Sequence, residues 1–97
     1  MENKSNKDQL KYLIDLANRT INSKYSETGT VPRQRVNQEL FAELRSGGLT
    51  LILKIVNEKH PLFIDYDTQV KASFLSDAQK ALGILNGVKL ELENATN

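Results

Sequence analysis

The feature that most constrains this chain is an almost uninterrupted apolar run over residues 49–56. Within that run Thr50 and Lys54 alone are not apolar, and Gly47-Gly48 directly precedes it. Two structures suit such a run: a buried strand after a helix that stops at Ser46, or the second half of one long helix that passes through the glycines.

The spacing of the apolar residues on both sides of the glycines favours the helix. Leu44 and Leu51 are seven residues apart, and Leu51 and Ile55 are four apart, so the apolar stripe keeps its face across the glycine pair. We therefore predict one helix from about residue 32 to residue 58. A glycine inside a helix costs about 1 kcal/mol relative to alanine, a cost usually accepted where another backbone must come close.

A helix that is apolar on nearly all sides must be buried on nearly all sides. A chain of 97 residues has room for one core, which is too small to enclose the whole run. We therefore predict that this segment, with Gly47-Gly48 as a notch, docks to a protein partner or to a second copy of the chain in a homo-oligomer. The expected interface residues are Leu49, Ile52, Leu53, Val56 and Phe63.

Apolar residues at helical spacing predict two further helices. The first runs from about residue 6 to residue 24, capped by Ser5 or Asn6, and a loop follows over residues 25–30. After Pro61 we predict an apolar cluster at a corner, over residues 62–66, and a third helix from about Tyr66. Asn86-Gly87 also suits a hairpin turn, but the helical period continues past it and favours a helix that kinks or ends there.

These segments together predict an all-α fold, a small three- to four-helix bundle with a long central helix. One domain is expected over residues 1–97, with frayed ends at residues 1–5 and 94–97.

The residue types argue for binding and against catalysis. The chain has no cysteine and one histidine, His60, which stands directly before Pro61 at a predicted helix end. The spacing of Glu58, His60, Asp65 and Asp67 matches no zinc or calcium signature. We therefore expect no enzymatic activity, no cofactor and no metal.

The charge and hydropathy patterns predict a cytoplasmic protein with no membrane or nucleic-acid partner. No apolar signal segment follows the first residues, and the run over residues 49–56 is too short to cross a bilayer. The net charge is +1, with +3 over residues 1–35 and −2 over residues 36–97. This asymmetry is well short of the basic stripe of a dedicated nucleic-acid binder.

Two arginines in a predicted first helical turn suggest an anion site. Thr30-Val31-Pro32 is typical of a helix start, and Arg33 and Arg35 follow it. Positive charge there opposes the helix dipole unless an anion lies nearby; pairing of Arg35 with Glu39 is the alternative. The arginines expected to clamp a phosphorylated nucleotide signal are Arg33, Arg35, Arg19 and Arg45.

The residues from Phe41 onward also form a pattern typical of a known module. The pattern consists of Phe41, residues 49–66, residues 81–85 and residues 89–91. Over about residues 36–93 the chain resembles the small helical module at the N-terminus of bacterial anti-phage and abortive-infection effectors, ahead of a separate effector domain. The resemblance implies a recognition or oligomerisation module without catalytic residues, either cut from a longer protein or free-standing.

Overall fold

Four helices and one short hairpin follow one another in the computed structural model, which describes residues 5–29 and 33–95. The elements are α1 (Asn6–Asn22), β1 (Tyr25–Ser26), β2 (Gln34–Arg35), α2 (Gln38–Ile55), α3 (Pro61–Gln69) and α4 (Leu75–Ala95). Helix α1 packs against both α2 and α4, and α3 packs against α2 and α4. The predicted all-α bundle of three to four helices is confirmed; α2 has 18 residues, and α4, with 21, is the longest of the described helices.

Helix α1 begins where the sequence predicts. The Ser5 hydroxyl accepts a hydrogen bond from the Asp8 amide at 3.1 Å, so Ser5 is a cap and not a frayed residue. At the C-terminus the predicted frayed end is residues 94–97. The first two of these residues belong to α4, which ends at Ala95. The rest of both predicted frayed ends lies outside the described residues.

Helix α2 begins later than predicted, and the residues before it form a strand. Gln34 and Arg35 pair antiparallel with β1, and the Val36 amide donates to the Ser73 carbonyl at 3.0 Å. These long-range bonds hold the backbone extended as far as Asn37, whose side chain caps α2. The predicted helix start at Thr30-Val31-Pro32 lies outside the described residues. The predicted continuity of α2 through the two glycines is confirmed.

The predicted third helix is two helices. Helix α3 already begins at Pro61, so the predicted corner cluster over residues 62–66 is helical. The chain then turns between Val70 and Leu75 because the Asp77 carboxylate accepts hydrogen bonds from the Lys71 and Ala72 amides, at 3.1 and 2.9 Å. Helix α4 passes through Asn86-Gly87, so a helix and not a hairpin forms there, but the helix does not end at this pair as the sequence had allowed.

The buried core draws on all four helices and on Val36 from the segment between β2 and α2. None of the helices in the described residues is both long and apolar enough to cross a membrane.

Candidate docking surface and candidate anion site

The glycine pair of α2 is filled by side chains of the same chain. A Cβ atom at Gly47 would lie 3.0 Å from a methyl carbon of Leu13 on α1, and one at Gly48 would lie 2.2 Å from the Tyr66 hydroxyl on α3. The two glycines therefore admit neighbouring helices of the bundle. The prediction that they form an open notch for a partner is wrong.

Tyr66 locks α3 onto α2 through this gap. Its side chain is fully buried, and its hydroxyl donates to the Leu44 carbonyl at 2.6 Å. Burial raises the pKa of the Tyr66 phenol far above its usual value of about 10, and Arg45 nearby lowers this pKa only in part. The phenol therefore stays a protonated donor throughout the neutral pH range.

The apolar run over residues 49–56 is enclosed on one side and open on the other. Leu51 and Ile52 are fully buried in the core. Ile52 therefore belongs to the core and was wrongly predicted as an interface residue. Leu49 and Val56 are partly buried at its edge, whereas 48% of Leu53 is exposed.

An ion pair fixes which flank of α3 lies beside the open side of α2. Arg45 contacts the Asp67 carboxylate at 3.2 Å and also donates to the Asp67 carbonyl. Leu49 and Leu53 follow Arg45 on α2 at steps of four residues, and Phe63 precedes Asp67 on α3 by four. The rows that contain the two ion-paired residues therefore continue into apolar residues on both helices.

These rows form what we call the α2–α3 patch. Phe63 is partly buried, and 44% of Ile64, its neighbour on the exposed flank of α3, is accessible. The patch consists of Leu49, Leu53, Val56, Phe63 and Ile64.

The four arginines predicted to clamp an anion do not converge. Arg19 pairs with Asp15 at 3.2 Å, and Arg45 pairs with Asp67. Arg35 pairs with Glu27 across the hairpin, and not with Glu39 on α2. Each of these three guanidiniums therefore already has a carboxylate within the chain.

Arg33 differs from the other three. It forms no ion pair with any described residue, and its guanidinium lies over the Phe74 ring, 5.4 Å from the ring centre. Arg35 lies over the same ring at 4.6 Å, because β2 runs beside residues 73–74. The two arginines thus lie near the start of α4 and not in the first turn of α2.

A shallow cavity of about 440 Å³ opens beside Arg33. Guanidinium, amide and hydroxyl groups around one aromatic ring give it several hydrogen-bond donors and a stacking surface. We call it the Arg33 cavity; its lining residues are Arg33, Gln34, Phe74, Leu75, Ser76 and Gln79.

His60 has a structural role at the start of α3. Its Nδ1 accepts a hydrogen bond from the Leu62 amide at 3.1 Å, and its Nε2 lies 3.8 Å from a carboxylate oxygen of Glu91. The imidazole thereby caps α3 and faces α4. Within the described residues no three histidine, aspartate or glutamate side chains are grouped to hold a metal ion.

Sequence reasoning missed two residues that shape these sites. The predicted corner cluster contains Ile64, and Pro61, a residue favoured at the first position of a helix, is the signal that this segment is helical. Phe74 falls within the predicted third helix, and only the long-range pairing of residues 73–74 with Arg35 and Val36 brings it to the arginines. Comparison with protein-family models, curated proteins and solved structures finds no match to this chain.

Proposed function

We propose that this chain is a helical interaction module that self-associates through the α2–α3 patch. The observation that carries the proposal is the exposure of Leu53. About half of this side chain is accessible to solvent, whereas Leu51 and Ile52 on the opposite side of α2 are buried in the core. Ile64 extends the exposed apolar surface onto α3. Exposed apolar side chains on two adjacent helices are typical of protein–protein contacts.

Charge favours a second copy as the occupant of the patch. In a two-fold dimer each residue near the axis meets itself, so a patch with net charge would repel its mate. The five patch residues are uncharged, and Arg45 and Asp67, which lie one turn from patch residues on α2 and α3, are paired with each other. The net charge of +1 also leaves little long-range repulsion between two copies.

Sedimentation velocity over a micromolar concentration range tests this proposal. The unmodified chain is expected to dimerise, and Leu53→Glu to weaken dimerisation by roughly 10-fold or more because it buries a carboxylate in the contact. Leu90→Glu is the matched control, since Leu90 is 61% exposed on α4, outside the patch. A monomer at every concentration, or equal losses in both variants, would contradict self-association through this patch.

The resemblance over residues 36–93 supplies the setting of the proposal. Modules of that type belong to bacterial anti-phage and abortive-infection effectors, so we place this assembly in phage defence in the cytoplasm, with a role in binding and not in catalysis. The test measures how well bacteria that carry the full native gene survive phage infection, with and without the Leu53→Glu substitution. Leu53→Glu is expected to abolish protection. Protection that persists after dimerisation is lost would show that defence does not depend on this dimer.

The Arg33 cavity favours a second candidate function, the binding of a phosphorylated nucleotide. Its support is the guanidinium of Arg33, which has no carboxylate partner among the described residues and lies over an aromatic ring. Such a group can donate paired hydrogen bonds to phosphate while the cavity offers amide and hydroxyl donors.

Thermal unfolding in the presence of linear and cyclic nucleotides tests this candidate. A ligand at 100 times its Kd is expected to stabilise the fold by about 2.7 kcal/mol. Arg33→Gln should abolish that shift, while Lys54→Gln, which removes an exposed charge on α2, should preserve it. An unchanged melting temperature across the panel would eliminate the candidate.

A further inference from the structure

A second apolar surface lies on the other side of the bundle, between the start of α1 and the end of α4. Because the beginning of one helix and the end of the other border it, the two helices run in opposite directions there. The groove has a volume of about 390 Å³. Its apolar floor contains Leu10, which is 2% exposed, and the partly buried Ile14 and Leu92.

Lysines stand on both sides of this α1–α4 groove. Lys7 and Lys11 are one turn apart on α1, and Lys89 lies opposite on α4. None of the three forms an ion pair with a carboxylate of the described residues. Asp8 and Glu93 also line the groove, so three lysines face two carboxylates and the lining is net positive.

We propose that the α1–α4 groove binds an acidic amphipathic helix of a partner protein. A helix fits between two packed helices when one stripe of its side chains fills the apolar floor, with anchors at i, i+3 or i+4, and i+7. With that stripe facing the floor, one flank of the bound helix faces Lys7, Lys11 and Asp8 of α1, which are net positive, and the other faces Lys89 and Glu93 of α4, whose charges cancel. Glutamate or aspartate on the flank beside α1 therefore complements the groove, and lysine on that flank opposes it.

This surface is independent of the α2–α3 patch. The groove is built from α1 and α4, whereas the patch is built from α2 and α3. A dimer formed through the patch therefore leaves the two grooves in place, one on each copy.

Fluorescence anisotropy with designed helical peptides tests the proposal. The probe is a small set of labelled peptides with a leucine and isoleucine stripe and glutamate flanks; the matched peptides carry lysine on the same flanks. Binding of the acidic set is expected to be saturable and at least about 10-fold tighter than that of the basic set, and to weaken with added salt. Lys7→Glu combined with Lys11→Glu, or Lys89→Glu alone, should weaken it by roughly 10-fold.

Lys80→Glu is the control variant, since Lys80 is an exposed lysine of α4 outside the groove. It changes the net charge as Lys89→Glu does and should alter the affinity by less than about 2-fold. Equal binding of acidic and basic peptides, equal loss in Lys80→Glu and Lys89→Glu, or no saturable binding by any acidic peptide would overturn the proposal. Binding of anionic lipid vesicles without binding of the peptides, or self-association that depends on Lys89, would assign the groove to a different occupant and overturn it equally.

Discussion

The fold covers one flank of α2 and leaves the other partly exposed to solvent. On one flank Gly47 and Gly48 admit Leu13 of α1 and Tyr66 of α3, and the contact is closed within the chain. On the other flank Leu53 remains half exposed beside the partly buried Leu49. The glycines therefore serve packing within the chain, and the exposed surface of α2 lies on the flank without glycines.

The largest expected change in the free energy of unfolding comes from a comparison of Ile52 and Leu53, which are neighbours in sequence but lie on different flanks of α2. Ile52→Ala should lower the free energy of unfolding by about 3 kcal/mol, because it leaves a cavity in the closed core. Leu53→Ala should lower it by less than about 1 kcal/mol, since half of that side chain already faces water. Urea unfolding measures both values, and similar losses would show that the two flanks are not distinct.

Two glycine-to-alanine substitutions are expected to change stability in opposite directions. Gly48→Ala should destabilise the fold by about 2 kcal/mol, because the new methyl group overlaps the Tyr66 ring and hydroxyl. Gly83→Ala on α4 meets no atom within 4 Å and should stabilise the fold by about 0.7 kcal/mol through its helix propensity. A harmless Gly48→Ala, measured by the same unfolding experiment, would show that Tyr66 does not occupy this gap.

Removing the Tyr66 hydroxyl should have a smaller effect. Tyr66→Phe is expected to cost about 1 kcal/mol at neutral pH, because the hydrogen bond to the Leu44 carbonyl is lost.

The pH dependence of unfolding separates this hydroxyl from general packing. The folded pKa of Tyr66 is raised, so its contribution is fully present below the unfolded pKa of about 10 and is lost as the pH rises above it. The unmodified chain should therefore lose stability more steeply above about pH 10 than Tyr66→Phe does. If the stability of the two proteins fell equally with pH, the Tyr66 phenol would have to be exposed to solvent.

The smallest expected effect concerns the ion pair at the border of the patch. A double-mutant cycle of Arg45→Gln and Asp67→Asn should give a coupling free energy of about 0.5 kcal/mol, because both side chains are partly exposed. Salt should reduce this coupling further. A coupling free energy above about 2 kcal/mol would mean that the ion pair is more shielded from water than its exposure in this fold allows.

The sequence predicts those parts of the fold that depend on local period. The phase of Leu44, Leu51 and Ile55 across the glycines correctly predicts a continuous α2, and the same argument correctly favours helix over hairpin at Asn86-Gly87. The start of α2 and the break before α4 depend on contacts between distant segments, such as the bond from the Val36 amide to Ser73. Helix period carries no information about those contacts.

The candidate sites show the same division. The sequence identifies the segment that contains Leu53, but it also assigns Ile52 to the interface, although Ile52 follows the buried Leu44 by eight residues and so lies on the buried face of α2. Likewise the anion hypothesis includes Arg33 but places it in the first turn of a helix, whereas Arg33 precedes β2 and lies over Phe74, which is 41 residues away along the chain.

Disulfide trapping tests most directly whether the open flank of α2 meets a second copy. The chain has no cysteine, so a single introduced thiol reports on one position. Under mild oxidation the Leu53→Cys variant is predicted to form a linked dimer at least about 10-fold faster than the Leu90→Cys variant, because a two-fold contact centred on Leu53 brings the two Leu53 positions within disulfide reach. Equal rates for the two variants, or faster linkage through position 90, would contradict the account.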